Sequence, residues 1–92
     1  MKRIEIFANV SVRDTLFGAF AKHRVVRNYS LIPVVHGNGS SGPRHGDEVW
    51  PEENFMLIVY CQEAEAGGIR EAVAEVKAVF ENEGVKLFEV DA

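Results

Sequence analysis

The chain contains a single cysteine, Cys61, so no intrachain disulfide can staple it. It has no long apolar run either. The longest stretches from Phe55 to Cys61, far short of the roughly 20 residues that cross a bilayer as a helix. Lys2, Arg3 and Glu5 interrupt any apolar segment after Met1, which excludes a signal-peptide core there. Positive charge is not in excess: 10 Lys and Arg stand against 14 Asp and Glu, for a net charge of −4. A nucleic-acid footprint needs clustered basic residues. The densest group here, Lys22, Arg24 and Arg27, is too short for a binding tail. These absences imply a soluble, cytoplasmic protein in a reducing compartment, with no nucleic-acid partner and no span of its own.

Catalytic patterns are also missing. No Gly-Lys-Ser/Thr ending closes a Walker A loop, and no Ser-His-Asp or Cys-His arrangement is suggested, so the chain does not read as an enzyme. Cys61 ends an apolar run and reads as a small buried hydrophobe rather than a reactive thiol.

What is present fits one domain over residues 1–92, a length that folds alone but gains burial from self-association. Residues 2 to 10 alternate, with Ile4, Ile6, Ala8 and Val10 on one side and Arg3, Glu5, Phe7 and Asn9 on the other, so they predict a strand. Ser11 and Asp14 give helix-start signals. Val12, Leu16, Ala19 and Phe20 recur at helical spacing, predicting a helix over about 12–23, with His23 at its C-terminal end. Val25 to His36 is rich in β-branched and aromatic residues and predicts a second strand. Pro33 cannot donate to a ladder, which puts this strand at an edge or a bulge.

Phe55 to Cys61, apolar throughout, predicts a central strand. Gly67 and Gly68 are expected to precede the second helix, with Glu63 and Glu65 as charges at its N-terminal side. Ile69, Ala72, Val73, Val76, Val79 and Phe80 form its apolar stripe, and Gly84 is the expected C′ residue. Val85 to Val90 is the last strand. The order β-α-β-β-α-β predicts an α+β, ferredoxin-like fold, with a four-stranded antiparallel sheet and two helices on one face. The other face would carry Phe7 and one side of the third strand: either Met56, Ile58 and Tyr60, or Phe55, Leu57 and Val59. Monomers rarely expose so large an apolar patch, so oligomerisation through that face is expected.

Between the second and third strands lies a long segment, 36–54. Four glycines, two prolines and two serines fall between Gly37 and Pro51, and no apolar period survives. Such loops are functional or disordered. Successive backbone N–H groups with Ser40, Ser41 and Arg44 could cradle an anion; the alternative is a plain turn-rich loop. His36, His45 and Asp47, with Glu48 or Cys61, could ligate a divalent metal such as Zn²⁺ or Cu²⁺, or could simply be solvated. Trp50 either packs on a neighbouring subunit or anchors a partner, with Glu52 and Glu53 beside it.

Met1-Lys2-Arg3-Ile4-Glu5, Val34-Val35-His36-Gly37-Asn38-Gly39 and Lys86-Leu87-Phe88-Glu89-Val90 together resemble the PII family of signalling proteins, and more narrowly its short PII-like relatives. The resemblance implies a non-enzymatic homotrimer linked to nitrogen regulation. Its long T-loop, here 36–54, would control a target such as a transporter or enzyme. Adenine nucleotides would sit in subunit clefts, with Gly37, Gly39, Ser40, Ser41 and Arg44 at or near the loop base. The chain departs from that pattern. Ser40 and Ser41 stand where the family has arginine and glutamine, and the loop lacks tyrosine. The basic, Gly-rich turn before the last strand is replaced by acidic Glu81-Asn82-Glu83-Gly84, which opposes a polyphosphate. A second resemblance, to trimeric metal-binding proteins of the CutA type, would make the segment a metal module.

Overall fold

Alternation sets the first strand. β1 spans Lys2–Asn9 and buries Ile4, Ile6 and Ala8 while Arg3, Glu5 and Phe7 turn to the opposite face. The computed structural model describes residues 1–36 and 53–92. A 3₁₀ turn at Val10–Val12 leads into helix α1, Arg13–His23. Strand β2 is Ser30–Val35, β3 is Asn54–Cys61, helix α2 is Glu63–Val79 and β4 is Val85–Asp91. The strands form one antiparallel sheet in the order β2-β3-β1-β4. This is the ferredoxin-like arrangement, with the all-apolar β3 in the centre and the proline-bearing β2 at an edge. The β2–β3 register slips between Ile32 and Val35, across Pro33, as a missing donor requires.

Both helices pack on one face. Leu16 and Phe20 of α1, and Ala66, Ile69, Ala72, Val73 and Val76 of α2, join Ile4, Ile6, Phe55, Leu57 and Val59 in a single core. Burying one such large side chain is worth about 1.5–3 kcal/mol. The alternation of β3 resolves in the same way: Phe55, Leu57, Val59 and Cys61 face the helices, and Met56, Ile58 and Tyr60 face away.

Several expectations are corrected. β1 stops at Asn9, so Val10 leaves the buried row and is exposed, while Asn9 is buried. Its side chain accepts a hydrogen bond from the Ser11 amide, so Asn9, not Ser11, caps the 3₁₀ turn. β2 begins at Ser30 rather than Val25. Arg24 and Val26 adopt left-handed backbone (φ 57° and 58°), which turns the chain and buries Val25 and Val26 as a plug instead. α2 starts at Glu63 and runs straight through Gly67 and Gly68. It ends at Val79, which is 73% exposed rather than part of the stripe. Phe80, not Gly84, follows the helix end, its amide still bonded to the Val76 carbonyl.

Close approach explains the second glycine. A Cβ at Gly68 would sit 2.7 Å from Val25 Cγ1, whereas one at Gly67 would meet only the Arg70 guanidinium, at 3.7 Å. The pair thus separates two effects in one helix. Gly67→Ala is expected to raise stability by up to about 1 kcal/mol through helix propensity. Gly68→Ala is expected to lower it by about 1–3 kcal/mol through overpacking against Val25. Urea unfolding of the two variants checks both signs.

The far end of the sheet is tied to α2 by charge. Lys2 Nζ lies 2.7 Å from Asp91 and 3.7 Å from Glu63, and Arg70 binds both Glu63 and Glu89. Bonds to Arg70 hold the Glu63 carboxyl below its ordinary value. Lys2 does the same to Asp91, and His23 to Glu75. A depressed folded-state pKa contributes stability that is present above the unfolded value and is lost as pH falls through the folded one. All three groups are exposed, so the effect is modest. The urea midpoint is expected to fall on acidification below about pH 4.5, the ordinary range of these carboxyls, and Arg70→Gln is expected to flatten that fall.

Candidate functional site

The two roots of the 36–54 segment emerge from one end of the sheet. β2 ends at Val35, which pairs with Asn54 at the start of β3, and Asn54 pairs in turn with Asn9 at the end of β1. The Asn9 amide donates to the Gly84 carbonyl at 3.3 Å, bringing in the turn before β4. A row of four chain segments thus closes this end: Val35, Asn54, Asn9, Gly84. One further bond anchors the downstream root, since the Val10 amide donates to the Glu53 carbonyl at 2.9 Å.

His36 and Glu53 are exposed at the roots. Glu81 and Glu83 sit on the turn that the row holds beside them, so the acidic turn shares the end from which the segment leaves. Gly37, Gly39, Ser40, Ser41, Arg44, His45, Asp47, Glu48, Trp50 and Glu52 lie outside the described residues.

The metal expectation that drew on Cys61 is corrected. Cys61 closes β3 at the end opposite the roots and faces the helices, buried, so it cannot converge with His36. Burial, followed by the charge of Glu65, pushes its thiol pKa up, which suits an inert core residue. Among the described residues no three His, Cys, Asp or Glu side chains gather as a metal cluster, and no helix is long and apolar enough to cross a membrane.

The open sheet face is the second element of the site. Phe7 packs edge-on against Phe88 with centroids 6.0 Å apart. Met56, Ile58 and Ile32 extend the apolar surface across β3 and β2, and Val90 extends it along β4. Phe88 and Val90 are each more than half exposed. Arg3 forms a polar island within it. Its Nε lies 2.7 Å from Glu5, its Nη1 donates to the Tyr60 hydroxyl at 2.6 Å, and its guanidinium stands 5.5 Å from the Tyr60 ring centroid.

The sequence reading missed Asn9, Val10 and Gly84, the residues that fix the roots. Asn9 carried a usable signal: a cap-forming side chain directly before a helical pattern. The bond from Gly84 to Asn9 spans most of the chain and has no local signature. Asn9→Ala is expected to lose about 1 kcal/mol of stability through the lost cap and to speed amide exchange at Ser11, whose amide loses its acceptor, measured by urea unfolding and hydrogen exchange.

With this geometry in view, solved structures give a consistent comparison. Residues along 99% of the chain match 84% of CPII from Thiomonas intermedia K12, bound to ADP and bicarbonate, at 21% identity and a TM-score of 0.73. A second structure of CPII, a nitrogen regulatory PII-like protein, bound to ADP, AMP and bicarbonate, matches over 99% of this chain and 88% of that one, at 21% identity and a TM-score of 0.71. A PII-like signaling protein from Thermus thermophilus matches over 97% of this chain and 83% of that one, at 24% identity and a TM-score of 0.66. The fold is therefore that of the PII-like proteins. No protein-family profile matches the sequence, and no curated protein matches it either.

Proposed function

We propose that the chain is a non-enzymatic PII-like regulator that controls a target protein, such as a transporter or an enzyme, through its 36–54 segment. One observation carries this reading: the row Val35–Asn54–Asn9–Gly84 plants both roots of a long Gly-rich segment on the rigid end of the sheet. A segment held this way can present side chains to a partner while the scaffold stays fixed. Gly37, Gly39, Ser40, Ser41 and Arg44 are assigned to ligand binding near the roots, and Trp50, Glu52 and Glu53 to partner contact.

Self-association as a homotrimer through the open sheet face belongs to the same reading. Covering Phe7, Met56, Ile58 and Phe88 removes apolar surface from water at about 25 cal/mol per Å². The structural neighbours hold ADP, AMP and bicarbonate. For this chain an adenine nucleotide with few phosphates fits better than ATP, because Glu81 and Glu83 lie at the root end and repel each added phosphate charge.

Sedimentation equilibrium is expected to give three times the chain mass, and Ile58→Glu is expected to give monomer with an unchanged helical signal. A wild-type monomer would remove the trimer. Calorimetry with AMP, ADP and bicarbonate is expected to give binding for AMP or ADP that is weakened at least tenfold by Arg44→Ala. Absence of heat with all three would leave the segment as a protein-recognition element alone.

A further inference from the structure

A cleft of about 480 Å³ opens at the end of the sheet opposite the roots, within a single chain. That volume falls in the range of small-molecule sites. His23, Arg24, Arg27, Asn28, Tyr60 and Glu65 are among its lining residues. It is formed by the turn between α1 and β2, the end of β3 and the first turns of α2.

The turn is unusual in its backbone. Arg24 and Val26 both have left-handed φ, and for a β-branched residue such as Val26 that is a strained choice. Two contacts hold it. The Val26 amide donates to a Glu65 carboxylate oxygen at 2.9 Å. Gly68 lets α2 approach so closely that any side chain there would strike Val25. The same conformation leaves both arginines exposed on the cleft lining.

The charges around the cleft have uneven partners. Glu65 is engaged by the Val26 amide. Glu75 and Glu71 lie 2.9 and 3.7 Å from the two ring nitrogens of His23, and Lys22 reaches Glu75 as well. Arg24 and Arg27, like Arg13 at the start of α1, make no ion pair among the described residues, but only Arg24 and Arg27 line this cleft. Two guanidiniums on one cleft lining, with Glu65 bonded to the backbone and Glu71 and Glu75 turned to His23, leave both forks open to an anion. A guanidinium fork matches phosphoryl oxygens in bidentate geometry. Asn28 adds an amide donor, and Val25, Ala64 and Gly68 offer an apolar wall for an organic body.

We propose that this cleft binds a small organic phosphate monoester, with Arg24 and Arg27 gripping the phosphoryl group and Val25, Ala64 and Gly68 lining the wall against the organic moiety. The site is separated from the 36–54 roots by the length of β3, about 20 Å at the usual strand rise. It needs neither a trimer nor a ligand at the roots.

The test is an amide NMR titration of the full chain with phenyl phosphate, alongside inorganic phosphate and phenol. Phenyl phosphate is expected to shift the amides of 23–28 and 60–68, and to bind at least tenfold more tightly than either of the others. Arg24→Gln/Arg27→Gln is expected to weaken it at least tenfold with the remaining spectrum unchanged. Because Arg24 occupies a left-handed position, Arg27→Gln alone provides the second measurement, with an expected loss of at least threefold. Shifts absent from 23–28, or binding unaffected by Arg27→Gln, would overturn the site. Inorganic phosphate binding as tightly as phenyl phosphate would overturn the organic ester. Shifts confined to His36 and Glu53 would move the ligand to the roots and overturn the proposal, while leaving the regulatory reading intact.

Discussion

In a chain of 92 residues, two helices can cover only one face of a four-stranded sheet, and the rest of the structure follows from that one-sided burial. α1 and α2 close over Ile4, Ile6, Phe55, Leu57 and Val59, so the pleat sends Phe7, Met56, Ile58 and Phe88 to the other side. A strand sequence cannot be apolar on both faces without a second cover. β3 is apolar on both faces, and the structure supplies cover on one only. The open face therefore carries a demand that the single chain does not meet. The Arg3–Glu5–Tyr60 island within it keeps its charges hydrogen-bonded to one another, so covering the face would not strand an unpaired ion.

The same sheet also fixes where chemistry can occur. β1 and β3 are paired along their full length, from Lys2–Cys61 to Asn9–Asn54. They form a stiff strut between the loop roots and the cleft. At one end Asn9 ties together the loop roots and the acidic turn. At the other, the ion pairs of Lys2 and Arg70 lock β1, β4 and α2. Neither end depends on the conformation of residues 37–52, since the ladder and the core hold both.

Much of this was legible in the residues. The period-two pattern of β1, the continuous apolarity of β3 and Pro33 in β2 together define a strand order, and the register slip beside Pro33 follows from its missing donor. The errors have equally local causes. Val25 and Val26 carry high β propensity, yet they are buried as a plug, because a left-handed turn and a carboxylate hydrogen bond outweigh that propensity. Gly67 and Gly68 were expected to precede α2, yet they lie inside it. Their cost, about 1 kcal/mol each, is offset by the contact surface of Ala66, Ile69, Ala72 and Val73. The choice between the two faces of β3 could not be made from β3 alone, because both were apolar; the position of the helices decides it. At the site, the segment was legible as a departure in composition. Its anchoring row was not, because Asn9 and Gly84 are distant in sequence and meet only in the fold.

Electrostatics separates the two ends further. Among the described residues, the root end carries Glu53, Glu81 and Glu83, with Lys86 one residue into β4. Arg24 and Arg27 at the cleft end have no acidic partners among the described residues, while Glu65, Glu71 and Glu75 beside them bond to a backbone amide or to His23. Fields of this kind bias where an anion first arrives, over roughly a Debye length of 8–10 Å at physiological salt. Two ends about 20 Å apart by strand rise lie beyond that length and act as separate electrostatic sites. In the proposed site, an anion meets two guanidiniums at the Arg24–Arg27 turn, whereas the 81–84 turn offers it only carboxylates.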